Sequence, residues 1–152
     1  DDLVPGEIAV CVRQRYLSAR MHQALPSLTA ERLRSLAGTG ELMTFEVGDT
    51  IIRQGDYADH FYILLSGQVA VVVDDSDSTR HVATLTAGDH FGEIGILEAR
   101  PRTANVYVTE GGAAQTLAIP RDALLNLVEK MPEARVDIAA TMLDRIIQVD
   151  TQ

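Results

Sequence analysis

The sequence predicts an α+β domain, mainly β, in which helices flank a β-sandwich, jelly roll or barrel. Short β-rich runs recur at intervals of roughly ten residues between positions 41 and 119, which is typical of such cores. Helical periodicity occurs only before and after these runs. The expected order is therefore N-terminal helices, a β-roll and two further helices.

The first forty residues predict two helices. Apolar residues recur at helical spacing through residues 7–24, namely Ile8, Val12, Tyr16 and Ala19. Pro26 is expected to end this helix, and Thr29 is the expected N-cap of the next one. The stretch Gly38-Thr39-Gly40 is expected to break the second helix.

The central part predicts strands separated by turns such as Gly48-Asp49 and Gly88-Asp89. The β-rich runs cover residues 50–52, 61–65, 69–73, 82–85, 105–109 and 114–119. The polar stretch 74–78 is expected to form an exposed hairpin tip. After Pro120 a helix is expected to stop near Met131-Pro132. One face of a final helix carries Val136, Ala139, Leu143 and Ile146.

Composition limits the possible functions. The 152 residues suffice for one domain, and the net charge of −9 disfavours binding to nucleic acid or anionic membranes. No apolar run approaches the length of a membrane-spanning helix. The single cysteine, Cys11, cannot form an internal disulfide, so a reducing compartment is expected.

Residues 91–106 interrupt the strand pattern with two glycines and a proline, as expected where a ligand approaches the backbone. Gly92 and Gly95 allow backbone amides close to a guest, and a turn starting at Glu93 would present free N–H groups to an anion. Arg102 is suited to phosphate oxygens, with the Thr103 hydroxyl beside it. Because Glu93 can accept hydrogen bonds from sugar hydroxyls, the combination indicates a ligand with both phosphate and sugar.

The stretch Phe91-Gly92-Glu93-Ile94-Gly95, followed by Pro101-Arg102-Thr103-Ala104, resembles the phosphate-binding cassette of the cyclic-nucleotide-binding domain family. The resemblance extends over roughly residues 28–148, in which Gly55-Asp56 and Ser66-Gly67 also match family turns. It implies an eight-stranded β-roll or jelly roll with N-terminal helices, a short phosphate-cassette helix and two C-terminal helices.

The resemblance also implies residue roles. Glu93 would hold the ribose 2′-hydroxyl and Arg102 the cyclic phosphate, supported by the amides of Gly92, Gly95 and Thr103. Ile94 belongs to the same ligand-binding stretch. Gly95 stands where eukaryotic members commonly have alanine, although bacterial activators carry glycine there. The final helix resembles a lid that closes over the purine, and Met142 and Arg145 are its expected base contacts.

Ordinary structural roles remain as alternatives. Arg102 could be a surface arginine paired with an acid, Glu93 a solvated acid at a helix start, and Thr103 a simple strand residue. Arg100 is expected to be solvated. Surface positions are expected for the histidines, which are His22, His60, His81 and His90. A metal-binding cupin is rejected, because His90 and Glu93 supply only one histidine and one acid.

The expected function is a regulatory domain that senses cAMP, or cGMP, without catalysis, metal or cofactor. Residues 1–27 are expected to form an N-terminal coupling helix and residues 28–152 the cyclic-nucleotide-binding domain. The expected partner is the remainder of a larger bacterial protein, such as a channel, transporter or enzyme, with homo-oligomerisation permitted and no direct contact with nucleic acid. The location would be cytoplasmic, either in a free protein or in the cytosolic part of a membrane protein.

Two other functions remain open from the sequence. One is a ligand-free docking or oligomerisation domain, although the presence of both Glu93 and Arg102 argues against it. The other is the sensor half of a transcription factor. A complete transcription factor is not expected, because no helix-turn-helix follows the final helix and the charge is strongly negative.

Overall fold

The computed structural model of this chain describes residues 17–139. This part contains eight strands in two four-stranded antiparallel sheets, with helices before, between and after them. In chain order the elements are α1 (17–24), α2 (Ala30–Thr39), β1 (Glu41–Phe45), β2 (Thr50–Ile52), β3 (His60–Ser66), β4 (Gln68–Asp74), β5 (Thr79–Thr86), β6 (His90–Phe91), α3 (Glu93–Leu97), β7 (Asn105–Val108), β8 (Ala114–Pro120), α4 (Arg121–Lys130) and α5 (132–139). The predicted eight-stranded β-roll with flanking helices is confirmed.

The two sheets have the strand orders β1-β8-β3-β6 and β2-β7-β4-β5. Strand β3 shows why its sequence is apolar without alternation, since both of its faces are buried. Phe61, Ile63 and Leu65 face one core, and Tyr62 and Leu64 face another. The second core fills the inside of the roll, and the first lies between the roll and the helices.

The core outside the roll contains side chains from both ends of the described residues. Met21 from α1, Leu33 from α2, Leu124 from α4 and Ile138 from α5 are all at most 4% exposed and belong to one cluster with the outer side of β3. Burial of such side chains stabilises the domain by about 1.5–3 kcal/mol each. The helices are therefore part of the same folding unit as the roll.

Helix α2 begins and ends where predicted. The hydroxyl oxygen of Thr29 accepts a hydrogen bond from the N–H of Arg32 at 3.2 Å, which confirms the N-cap. The helix ends within the predicted stretch Gly38-Thr39-Gly40, because Thr39 is its last residue and the N–H of Gly40 caps it by donating to the carbonyl of Ala37. Nothing lies within 4 Å of a Cβ built at Gly38, so a larger side chain would fit there.

Helix α5 packs on the core through Ala134 and Ile138, which are fully buried. These two residues are four apart and therefore lie on one side of the helix. Val136 is 66% exposed, and Ala139 is also exposed. The predicted apolar face that begins with Val136 and Ala139 thus points away from this core, while Leu143 and Ile146 lie outside the described residues.

The connection from β6 to β7 crosses between the two sheets. Strand β6 pairs with β3 in the first sheet, whereas β7 pairs with β2 and β4 in the second. Residues 92–104 make this crossing and are called the cassette segment below. Its position at the opening between the sheets explains why this stretch does not follow a strand pattern.

Candidate ligand-binding site

The cassette segment starts with a backbone conformation that favours glycine. Gly92 has φ of +89° and ψ of 3°, in the left-handed region, and it precedes α3 directly. Phe91, the residue before Gly92, points into the roll, where its ring stacks on that of Tyr62 with the centroids 5.1 Å apart. The following residue, Glu93, then begins the short helix. Gly92 thus separates a core-facing residue from the start of the candidate site.

Arg102 is held in the wall of the site by backbone carbonyls. Its side chain is buried, Nη1 donates to the carbonyl of Gly92 and Nη2 donates to that of His60, each at 2.6 Å. Nη2 also lies 3.7 Å from Oδ1 of Asp59. The alternative of a surface arginine is therefore wrong, since this guanidinium is buried and held by two backbone carbonyls.

Burial lowers the pKa of the Arg102 guanidinium, while Tyr62, Asp59 and Glu93 oppose the shift. The ordinary pKa is so high that the group remains charged at neutral pH. A buried cation with several N–H donors is a strong site for an anion, because each charge-assisted hydrogen bond contributes about 1.5–3 kcal/mol.

Gly95 is required by close packing. A Cβ at this position would lie 2.6 Å from the Cβ of Ala58 and 2.9 Å from the carbonyl oxygen of Arg100. Helix α3 therefore approaches the loop before β3 more closely than any side chain at position 95 permits. This close approach places α3 next to the loop before β3. The residue that follows this loop, His60, accepts a hydrogen bond from Arg102.

A cavity of about 330 Å³ opens beside the cassette segment, within the range of small-ligand sites. One wall is apolar and comes from β4 and β5, with Val71, Val73 and Val82. The cassette segment supplies most of the other lining residues, Arg102 among them. The cavity thus offers a charged group and apolar side chains to a single ligand.

The structure brings six of the eight predicted site residues to this one cavity, namely Gly92, Glu93, Ile94, Gly95, Arg102 and Thr103. The other two, Met142 and Arg145, lie outside the described residues. Glu93 is completely buried, so the alternative of a solvated acid is wrong. Arg100 is exposed as expected, but it also lines the cavity and pairs with Glu98 at 2.7 Å.

Sequence reasoning missed two side chains near the site. His90 was expected at the surface, but only 1% of it is exposed, and its Nδ1 lies 3.4 Å from Oε2 of Glu93. Its place between a turn and Phe91, in a strand of two residues, gave no periodicity from which burial could be predicted. Asp59 next to Arg102 carried no sequence signal either, because its partner is 43 positions away.

Two further structural findings concern residues 17–139. None of the helices there is long and apolar enough to cross a membrane. The same residues contain no cluster of three or more His, Cys, Asp or Glu side chains placed to hold a metal ion.

Comparison with known proteins identifies the family. The model of the cyclic nucleotide-binding domain family matches residues 42–131, well over half of the chain. The chain belongs to this family. The resemblance found in the sequence is confirmed, and the matched range of this cyclic nucleotide-binding domain includes the whole cassette segment.

Relatives of this cyclic nucleotide-binding domain include regulatory proteins and kinases. It is 35% identical over 103 residues to the cAMP-dependent protein kinase type II regulatory subunit of Drosophila melanogaster, covering 65% of this chain and 27% of the relative. It is 32% identical over 114 residues to the cGMP-dependent protein kinase, isozyme 1, of the same organism, covering 73% and 15%. The chain thus matches about a quarter or less of these relatives' length.

A solved structure provides a third comparison. The regulatory subunit of a cAMP-independent protein kinase A from Trypanosoma brucei has a TM-score of 0.68 and 28% identity to this cyclic nucleotide-binding domain. The similarity covers 87% of this chain and 48% of that structure. Relatives of this domain therefore include proteins described as cAMP-dependent, cGMP-dependent and cAMP-independent.

Proposed function

We propose that this domain binds a cyclic purine nucleotide, with cAMP preferred to cGMP, and passes its occupancy to a larger protein. The observation that carries the proposal is the buried Arg102 guanidinium, which lines a cavity together with the apolar side chains of β4 and β5. Two of its five N–H groups donate to backbone carbonyls, which leaves donors for phosphate oxygens. Glu93 is the acceptor proposed for the ribose 2′-hydroxyl.

The preference for cAMP follows from the wall that would face the base. Val71, Val73 and Val82 have no side-chain donor or acceptor, and Thr103 supplies a hydroxyl on the cassette side. Guanine carries one more exocyclic polar group than adenine. Burial of a polar group without a partner costs free energy, so adenine fits this wall at lower cost.

The proposed output is conformational, through the helices that pack on the outside of the roll. Ligand binding would shift the population of arrangements of the terminal helices, with the final helix closing over the base. A full reversal from 1:99 to 99:1 requires about 5.5 kcal/mol of differential binding, so several contacts must differ between the arrangements. An enzyme is the proposed type of regulated protein, because the relatives are kinases or their regulatory subunits.

A pair of hydrogen bonds between α5 and the turn that connects α1 to α2 supports a prediction about this closure. The carboxylate of Asp137 accepts hydrogen bonds from the N–H and the hydroxyl of Ser27, at 2.9 and 2.7 Å. None of the described α5 residues lines the cavity. Asp137→Ala is expected to tighten cAMP binding by roughly threefold. The exposed hydrogen bonds between Asp137 and Ser27 stabilise the observed position of α5 by up to about 1 kcal/mol, and the variant loses them.

Isothermal titration of the variant and of Glu133→Ala measures this effect. Glu133 is exposed on the same helix and is the control, with unchanged affinity expected. Equal or weaker binding by Asp137→Ala would show that α5 does not need to leave its position for the ligand to bind.

A domain that docks to partners without a nucleotide is the second candidate, favoured by the similarity to a cAMP-independent kinase subunit. Titration of the folded chain with cAMP and with cGMP separates the two. Micromolar or tighter binding of cAMP, with weaker binding of cGMP, is the expected result. Tighter cGMP binding would reverse the base preference. An absence of heat with both nucleotides, in a sample with a cooperative unfolding transition, would favour the docking function.

A further inference from the structure

The buried histidine that the sequence did not predict lies directly behind the cassette segment. His90 is in β6, paired with Ile63, and its ring packs against Phe61 with centroids 5.4 Å apart. Only 1% of the residue is exposed. A fully buried imidazole carries a desolvation cost that an apolar side chain avoids, so the polar contacts it makes there are significant.

One of those contacts is with the carboxylate proposed to bind ribose. Nδ1 of His90 lies 3.4 Å from Oε2 of Glu93, and both side chains are at most 2% exposed. The two residues are held on separate elements, β6 and α3, with the left-handed Gly92 between them. The side-chain contact therefore joins β6 to the first residue of α3, and Oε2 is the carboxylate oxygen that lies near the imidazole.

The Glu93 carboxylate also interacts with the charge of Arg102. The guanidinium donates to the carbonyl of Gly92, the residue before Glu93, and the charge of Glu93 opposes the lowering of the Arg102 pKa. Glu93 therefore interacts with a cation that lines the cavity and with an imidazole that does not. A close contact with His90 opposes movement of the carboxylate toward the guanidinium, the group proposed to bind the phosphate.

We propose that His90 is a positioning residue, which orients the Glu93 carboxylate toward the ribose and so sets the selectivity for ligands that carry a 2′-hydroxyl. The inference rests on the proposed function, since it concerns the same cavity. Oε2 is the carboxylate oxygen that lies near Nδ1, and Oε1 is the one proposed to accept from the ribose hydroxyl. His90 does not line the cavity, so it acts through Glu93 alone.

The test measures the ratio of the Kd values for 2′-deoxy-cAMP and cAMP, by titration of the full chain. His90→Phe keeps an aromatic ring against Phe61 but removes both nitrogens. It is expected to weaken cAMP binding by roughly tenfold, through loss of the contact between imidazole and carboxylate, and to leave 2′-deoxy-cAMP binding nearly unchanged. His90→Asn places an amide near the position of Nδ1 and is expected to recover most of the wild-type ratio.

The controls separate positioning from a structural role. His81→Phe changes an exposed histidine on β5 and is expected to leave the ratio unchanged. If His90→Phe does not fold, His90→Gln takes its place. The glutamine amide lies near the position of Nε2 and not of Nδ1, so this variant is expected to lose the wild-type ratio of Kd values that His90→Asn retains. An unchanged ratio of Kd values would overturn the role of His90, whether the two ligands bind as before or both bind more weakly by the same factor. Absence of cAMP binding by the wild type would instead overturn the proposed function, and this inference with it.

Discussion

Replacement of Arg102 by alanine is expected to weaken cAMP binding by roughly tenfold to a hundredfold, or about 1.4–2.8 kcal/mol. The variant loses the charge-assisted hydrogen bonds proposed for the phosphate, each of which contributes about 1.5–3 kcal/mol. Arg102→Lys retains the charge but lacks the planar fork that donates to two carbonyls at once. Its affinity is expected to fall between those of the wild type and the alanine variant.

The alanine variant should also be less stable. The carbonyls of Gly92 and His60 lose their donor, and a buried acceptor without a partner costs about 1–3 kcal/mol. Binding must therefore be measured well below the unfolding midpoint of each variant, with circular dichroism as a check of the folded fraction. Titration calorimetry with cAMP then reports the ligand interaction separately from the loss of stability.

Arg121→Ala is a matched control for this prediction. Arg121 also donates to a backbone carbonyl, that of Ala58 at 3.0 Å, in the loop directly before His60, but it does not line the cavity. Its replacement is expected to change cAMP affinity by less than about threefold, the size of a weak indirect effect. If the Arg102 and Arg121 variants weaken binding equally, the effect arises from lost backbone support around residues 58–60, and Arg102 has no specific role in binding.

Gly95→Ala is expected to destabilise the domain by about 1–3 kcal/mol, as overpacking in a rigid environment does. The added Cβ would be 2.6 Å from Ala58 Cβ and 2.9 Å from a backbone oxygen, which are distances that real Cβ atoms do not adopt. Either α3 or the loop before β3 must move. Urea denaturation measures the loss, and cAMP titration shows whether the displaced α3 also weakens binding.

A second substitution tests whether Ala58 causes the clash. Ala58→Gly removes the nearer of the two contacts, so the double variant Ala58→Gly/Gly95→Ala is expected to be more stable than the sum of the single effects by about 0.5–2 kcal/mol. Gly38→Ala is the control glycine substitution, since its Cβ meets nothing within 4 Å and it lies within α2. It is expected to stabilise by about 0.5–1 kcal/mol. Additive effects in the double variant would exclude Ala58 as the source of strain.

The clash links two positions of the sequence. In this chain the methyl group of Ala58 occupies the space that a side chain at position 95 would need. Residues 58 and 95 are far apart in the chain, so no local pattern could connect them.

Much of the fold was predictable because its signals are local. The six β-rich runs all became strands, and Thr29 became an N-cap, since strand preference and capping depend on residues within a few positions. The remaining strands, β1 and β6, were not among those runs. Strand β6 has two residues, too few to show an alternation.

By itself, the sequence determined the fold class, through its β-rich runs and the helical periodicity on either side of them. It also located the candidate site, because the cassette segment holds its glycines, acid and arginine within about a dozen positions. Only the tertiary structure decided which residues these contact. It buried His90 beside Glu93, placed the valines of β4 and β5 in the same cavity as Arg102, and joined Ser27 to Asp137 across 110 positions. The physical reason is that propensity and periodicity act over a few neighbouring residues, whereas burial and partner choice depend on which distant elements the folded chain brings together.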